Sequence, residues 1–210
     1  MSVTMKVLSV DPGLKNLGFA YIVDGKLARF GVFNAVRRVE KKQQKNYPLI
    51  VHRFSRFKMF QDADIVVVER QMNQKMRCIA TALVCFAWPR GLLVSPRSVK
   101  VHHGISMSNY RKNKAAAVEL APSYMSTSSR QTYRNLKHKR DDIADAVLMG
   151  FWYIETHGTE SHPRVSTLLD SDSEIDEDVD IDIIEQIEHD AQPPLKEVDN
   201  TIIQLNVHAS

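Results

Sequence analysis

The chain has few of the residues that mark disulfide-rich, secreted or membrane proteins. Two cysteines occur among 210 residues, Cys78 and Cys85, and a spacing of seven places them about two helical turns apart, too far for a bond within one helix. The sequence therefore predicts reduced thiols in the core. No uncharged apolar run approaches the roughly 20 residues that span a bilayer, and the first apolar stretch ends at Asp11, too early for a secretory signal. We expect an intracellular protein without a membrane segment.

Acidic residues are scarce in most of the chain and concentrated near its end. Residues 1–159 contain 26 Lys and Arg against 11 Asp and Glu, whereas residues 160–210 contain 2 against 14. The formal net charges of the two ranges are therefore +15 and −12. A basic body is typical of nucleic-acid binders, because Lys and Arg displace counterions condensed on phosphates, although solubility or an acidic protein partner would explain it nearly as well. The acidic segment lacks aromatic residues, and its composition predicts disorder.

The order of apolar segments predicts one α/β domain over residues 1–158, followed by an acidic tail over 159–210. The runs VLSVD, GFAYIV and KLARFGVF predict an antiparallel meander, with Asp24-Gly25 as a tight type I′ turn. A basic loop follows over 34–46. The runs DIVVVER and GLLVSP predict two more strands. Helical spacing predicts helices over 47–60, 72–88, 111–120 and 140–155.

Acidic residues occur at three points where a purely structural protein seldom places them. Asp11 follows an apolar strand, Glu69 ends the run IVVV, and Asp142 and Asp145 lie about one turn apart on one face of a predicted helix. Buried acids are costly unless they are paired or bind metal. If these four carboxylates converge they need cations, and such hard oxygen ligands select Mg²⁺ or Mn²⁺.

Each acid also has a simpler structural explanation. Asp11 could cap a turn, and Glu69 could pair with Arg70. Asp141 or Asp142 could cap free N–H groups at the start of a helix. The joint order of two strand acids and a helical acid pair is harder to explain by chance, and this order favours a metal site.

The three motifs together resemble those of RuvC-like Holliday junction resolvases, especially the poxvirus and fungal mitochondrial resolvases. The segment SVDPGLKNLGFAYI is similar to the first-strand motif of that family, VVVERQ to its second motif and KRDDIADAVLM to its C-terminal motif, in the same order over about residues 5–155. Actin-like ATPases and sugar kinases also begin with an Asp-x-Gly strand. This chain lacks their second Gly-rich phosphate loop and is short for their two-lobed fold.

The resemblance implies a ribonuclease-H-like mixed sheet with flanking helices and a Mg²⁺-dependent endonuclease that cuts four-way DNA junctions. It implies a homodimer that binds branched DNA, two metal ions per active site with Mn²⁺ as a substitute, and action at a viral replication site in the host cell. The implied catalytic metal ligands are Asp11, Glu69, Asp142 and Asp145. Asp141 is a candidate for a capping or supporting role. Basic residues that contact DNA have less distinct motifs, and the candidates are Lys15, Arg70, Lys100, Lys112 and Lys114. The tail has no counterpart in the family pattern, and its partner is unassigned.

Other functions stay open at this point. A different nuclease of the same fold would act on flaps or RNA–DNA hybrids, since the metal site does not encode substrate shape. A non-catalytic DNA-binding protein would be expected to have lost at least one of the acids. His102 and His103 are conceivable zinc ligands, but neighbours on a strand face opposite ways and no Cys pair accompanies them. The sequence therefore favours surface or phosphate-contacting histidines.

Overall fold

In the computed structural model the described residues are 4–34, 47–105, 109–136 and 139–158, and within them a five-stranded sheet carries helices on both faces. The strands are β1 (Lys6–Pro12), β2 (Asn16–Val23), β3 (Lys26–Asn34), β4 (Ile65–Glu69) and β5 (Gly91–Val94). Their order is β3-β2-β1-β4-β5. The pairs β1–β2 and β2–β3 are antiparallel, and β1–β4 and β4–β5 are parallel. The mixed sheet with flanking helices is confirmed.

The helices divide into two layers, each with its own apolar core against one face of the sheet. The first layer contains α1 (Tyr47–Ser55), α2 (Lys58–Asp62) and α3 (Gln74–Phe86), and the second contains α4 (Pro96–His102), α5 (Tyr110–Leu120), α6 (Thr127–Asn135) and α7 (Arg140–His157). A short 3-10 turn, Ala121–Tyr124, follows α5. None of the described helices combines the length and apolarity needed to cross a membrane.

The predicted meander and its hairpin turn are confirmed. Asp24 and Gly25 both have positive φ, 49° and 72°, as a two-residue turn between right-twisted strands requires. Predicted strands over VLSVD, IVVV and GLLV are also present, as are helices at 72–88, 111–120 and 140–155 with ends shifted by a few residues.

The long helix α7 packs closely on the centre of the sheet. The buried Oγ of Ser9 on β1 donates a hydrogen bond of 2.5 Å to the carbonyl oxygen of Ala146. On the next turn, a Cβ atom at Gly150 would lie 2.8 Å from the same Oγ. Only glycine fits at position 150 without displacement of its neighbours. The hydrogen bond and the close contact together keep α7 close to β1.

Two sequence predictions about the first layer are wrong. The helix predicted over 47–60 is two helices, because Phe57 is extended (φ −65°, ψ 128°) and its ring packs against Phe19 and Phe33, each at 5.4 Å between centroids. Cys78 and Cys85 are exposed free thiols and do not line the core. Helix α3 buries Ile79, Ala80 and Leu83 instead. Cys78 and Cys85, which are seven residues apart, share the opposite face of the helix.

In the second layer, two helices occur in segments for which no helix was predicted. Helix α4 begins with Pro96 in its first turn, a position that suits proline, and His102 therefore ends a helix and does not lie on a strand. Helix α6 begins after Ser126, whose Oγ accepts from the backbone N–H of Ser129. Residues 35–46 of the predicted basic loop and the acidic tail over 159–210 lie outside the described residues.

Candidate metal centre

Two of the predicted acids end neighbouring parallel strands. Val10 of β1 pairs with Val68 of β4, and Asp11 and Glu69 are the next residues on the two strands. Side chains alternate between the faces of a sheet, so both acids lie on the face that α7 covers, together with the core residues Val7 and Val67. The carboxylates thus meet at one edge of the sheet.

Helix α7 brings a third acid to the same place. One carboxylate oxygen each from Asp11, Glu69 and Asp145 lies within 4.8 Å of the other two. Gly18, which pairs with Asp11 across β1 and β2, makes this approach possible. A Cβ atom there would lie 2.5 Å from the carbonyl oxygen of Asp142. The helix rests directly on the strand backbone where the acids converge.

The negative charges of the three carboxylates in this cluster repel one another. Burial, followed by the repulsion of Glu69 and Asp145, raises the pKa of Asp11 well above its ordinary value. Burial and the charge of Asp145 raise the pKa of Glu69 to about 8, and burial raises the pKa of Asp145. Three oxygen donors that repel one another fit a hard divalent cation such as Mg²⁺, which removes the repulsion when it binds.

The fourth predicted ligand, Asp142, lies one turn before Asp145 and beside the three converging acids. Its carboxylate is 3.5 Å from the Nζ atom of Lys139. Burial and the neighbouring Asp141 raise the pKa of Asp142, and its charge contributes to the raised pKa of Asp11. Of the helical acid pair predicted from the sequence, Asp145 therefore belongs to the group within 4.8 Å, whereas Asp142 lies outside it and contacts Lys139.

Sequence reasoning missed one participant, Gln71. Its Nε2 atom donates hydrogen bonds to Oδ1 of Asp11 at 2.9 Å and to Oε1 of Glu69 at 3.3 Å. The residue lies inside the motif VVVERQ, two positions after Glu69, and this closeness in sequence was the available signal. Its backbone is held by Arg77, whose Nε donates to the carbonyl oxygen of Gln71 at 3.4 Å. The carboxamide thus bridges two of the three acids.

Two of the five predicted basic residues act electrostatically on the cluster. The positive charges of Lys100 and Lys114 work against burial and lower the pKa values of Glu69 and Asp145. Lys114 also contacts Asp141, with Nζ 2.7 Å from Oδ2. Burial opposes the ionisation of Asp141, but the hydrogen bond and charge of Lys114 outweigh it and lower the pKa of Asp141. Asp141 is thus a partner of Lys114, as expected of a supporting residue.

The other three basic candidates are located only by their positions in the chain. Lys15 lies in the connection between β1 and β2, Arg70 directly follows Glu69 and is partly buried, and Lys112 is exposed on α5. Their contact with DNA stays a prediction.

Comparisons with known proteins identify a family and a shared fold. The family model described as the poxvirus A22 protein matches residues 5–156. The crystal structure of the fowlpox virus Holliday junction resolvase has a TM-score of 0.53 and 21% sequence identity and covers 73% of this chain and 99% of its own. The fowlpox virus resolvase in complex with substrate Holliday junction DNA has a TM-score of 0.51 and 20% identity, with the same coverage. A search of curated protein sequences gave no match. The structural likeness shows a shared fold.

Proposed function

Because the chain belongs to the poxvirus A22 protein family, we propose that it is a Holliday junction resolvase, an endonuclease that cuts four-way DNA junctions. The observation that carries the proposal is the convergence of Asp11, Glu69 and Asp145 within 4.8 Å. The acids lie on a fold shared with the fowlpox virus Holliday junction resolvase. The family resemblance inferred from the sequence motifs is confirmed by the family match.

We assign Asp11, Glu69, Asp142 and Asp145 as the ligands of Mg²⁺, with two ions per site and Mn²⁺ as a substitute. The metal would lower the pKa of an attacking water and stabilise the charge on the leaving 3′ oxygen. Three neighbouring residues hold these acids in place. Gln71 bridges the strand acids, and Gly18 and Ser9 fix the helix that carries Asp142 and Asp145.

We propose that DNA is bound through its backbone rather than through its base sequence. The balance of +15 over residues 1–159 favours phosphate contacts, which give affinity without sequence preference. Lys100 and Lys114 are the best placed for the scissile phosphate, because both act on the acid cluster. Arg70, Lys15 and Lys112 are the further candidates for phosphate contacts.

We propose a homodimer, since a four-way junction offers two symmetry-related strands and a twofold assembly presents one site to each. The surface around the end of α3 is the candidate interface. Phe86 is 59% and Trp88 is 63% exposed, and side chains of this size and type are enriched at the centres of protein interfaces. We also propose that this activity takes place at a viral replication site in the host cell, which the match to the poxvirus A22 protein family supports.

The proposal is tested by incubating the full-length protein and Mg²⁺ with a labelled immobile four-way junction and, in parallel, with flap, RNA–DNA hybrid and duplex substrates. We expect paired symmetrical cuts in the junction that leave 5′ phosphates and 3′ hydroxyls. The variant Asp11→Asn should bind but not cut, and Glu119→Gln, an exposed acid on α5, should cut normally. Preferred cutting of flaps or hybrids would indicate another nuclease of this fold. Binding without any cutting would indicate a non-catalytic DNA-binding protein.

A further inference from the structure

A second group of metal-ligating side chains lies between α4 and α7, away from the acid cluster. One ligand atom each from His102, His103 and Glu155 lies within 4.8 Å of the other two. The two imidazole rings are adjacent, with centroids 4.9 Å apart and planes at 82°. The expectation that these neighbours face opposite ways assumed a strand. At the end of a helix one ring nitrogen of each instead lies within 4.8 Å of the other and of Glu155.

The hydrogen bonds of His103 fix which of its nitrogens is available. Its Nε2 atom lies 2.9 Å from the carbonyl oxygen of Leu148, and because that oxygen can only accept, Nε2 carries the proton. Nδ1 therefore presents its lone pair, and the hydroxyl of Tyr124 lies 3.2 Å from it. A histidine that donates one ring N–H to a backbone carbonyl while the other nitrogen is free to bind is the usual arrangement of histidine ligands in metal sites.

The separation of two of the donor atoms, those of His102 and Glu155, also suits a transition metal. Bonds of about 2.0 to 2.1 Å in a tetrahedron place neighbouring donors about 3.3 Å apart. His102 Nε2 and Glu155 Oε2 are 2.7 Å apart, so a shift of about half an ångström would seat a metal between them. Both side chains are about one third exposed, 31% and 39%, and have the freedom to make that shift.

We propose that His102, His103 and Glu155 form a second metal site that takes a transition-metal dication such as Zn²⁺. Two imidazoles and one carboxylate favour zinc, cobalt or nickel over magnesium, which prefers oxygen ligands and water. The fourth position falls to water or to the hydroxyl of Tyr124. An ion pair between His102 and Glu155 accounts for two of these residues. The third donor is Nδ1 of His103, and a metal ion there would replace the hydrogen bond that Nδ1 accepts from the hydroxyl of Tyr124.

Such a site clamps α4 to α7. The two histidines lie at the end of α4, and Glu155 lies in the last turns of α7. The same two helices also carry residues of the first site: Asp145 on α7 belongs to the acid cluster, and the charge of Lys100 on α4 lowers the pKa of Asp145. The bound dication holds these two helices together without touching the acids. The inference does not depend on the proposed nuclease function.

The test uses Co²⁺ as a spectroscopic probe on the full-length protein, with excess Mg²⁺ present to occupy the acid cluster. Cobalt bound by imidazoles at low coordination number absorbs strongly in the visible range, whereas six-coordinate cobalt bound by oxygen is nearly colourless. We expect visible bands that saturate at one equivalent and are bleached by Zn²⁺. Zinc should also raise Tm by about 5 °C.

Glu155→Gln and His103→Asn should weaken Co²⁺ binding at least about tenfold and remove the zinc-dependent rise in Tm. His52→Asn is the matched control, because His52 is exposed on α1, over the opposite face of the sheet. Tm without metal verifies that each variant is folded, and the exposed Glu155 is the safer of the two sites to change. Absence of visible bands in the wild-type protein, or equal Co²⁺ binding by Glu155→Gln, overturns the proposal.

Discussion

The side chain of Gln71 donates a hydrogen bond of 2.9 Å to Oδ1 of Asp11. With its second bond to Glu69, the carboxamide supplies positive hydrogen atoms between two carboxylates that repel each other. A metal ion that binds these two carboxylate oxygens has to replace the hydrogen bonds from the carboxamide. Gln71 therefore stabilises the metal-free arrangement.

Gln71→Leu should bind Mn²⁺ about fivefold more tightly than the wild-type protein, because the metal no longer displaces hydrogen bonds to charged groups. Isothermal titration with the full-length protein measures this, and Gln61→Leu on the exposed side of α2 is the control. Weaker Mn²⁺ binding by Gln71→Leu would contradict the interpretation and indicate that the carboxamide supports the metal-bound state.

Asp142→Asn should lower the rate of junction cleavage at least about a hundredfold, because a ligand charge is lost, while junction binding stays equal or becomes tighter as repulsion of phosphate falls. Single-turnover cleavage and a binding assay measure the two effects. Asp145→Asn, Asp11→Asn and Glu69→Gln should behave alike. Near wild-type cleavage by Asp142→Asn, beside an inactive Asp145→Asn, would remove Asp142 from the ligand set and leave it as the partner of Lys139.

The pKa of Glu69 predicts how stability depends on pH in the absence of metal. The carboxyl has an ordinary pKa of 4.5 and a pKa of about 8 in the folded protein, so between these values the folded state holds a proton that the unfolded chain has released. The free energy of unfolding attributable to this group therefore falls as pH rises through that window and levels off above it.

Denaturant unfolding in EDTA should accordingly show that Glu69→Gln is more stable than the wild-type protein at pH 8.5, by on the order of 1 kcal/mol, and that the difference disappears near pH 4. Mg²⁺ should stabilise the wild-type protein and not the variant. The exposed Glu119→Gln serves as control. A Glu69→Gln variant that is less stable than wild type at pH 8.5 would show that the buried charge carries no cost.

The dimer proposal predicts that a charge at the end of α3 separates the subunits. Phe86→Asp should shift the protein from dimer to monomer in analytical ultracentrifugation, because burial of a carboxylate in an apolar interface is unfavourable. Val101→Asp is the matched control, since Val101 is 58% exposed on α4. A monomeric wild-type protein, or a Phe86→Asp variant that remains dimeric, would rule out this surface.

The acidic tail predicts competition with DNA. Covalent linkage keeps 14 acids at high local concentration beside a body with a balance of +15, so deletion of residues 160–210 should tighten junction binding at low salt. The gain should shrink as salt rises, because screening weakens both attractions. Electrophoretic binding assays over a salt series measure the effect. Equal affinities at low salt would indicate a tail that only promotes solubility or binds another partner.

The meander, the buried parallel strand and the final helix were predictable because local signals agree with the tertiary structure. Asp24-Gly25 permits only a narrow set of turns, and IVVV suits a strand covered on both faces. The strand acids and the helical pair were found for the same reason, since each lies at the end of a well-marked element.

The wrong and missing predictions have a common physical cause. In each case contacts between residues far apart in the sequence determined a structure that the local sequence pattern does not specify. The ring of Phe57 ends one helix by packing on Phe19 and Phe33. The short helix α4 has little apolar periodicity, and its position depends on contacts such as that of His103 with Leu148. Gln71 was missed because no rule of spacing says that an amide will bridge two carboxylates.

Gly18 has no functional group, yet the close approach of α7 to β2 depends on it. The start of α7 lies so close to β2 that one methyl group at residue 18 would push the backbone of Asp142 outward. That displacement would move Asp145 away from Asp11 and Glu69, although every ligand would remain in the sequence. A natural variant at this glycine would therefore keep all four predicted metal ligands and still lose the arrangement that brings three of them together.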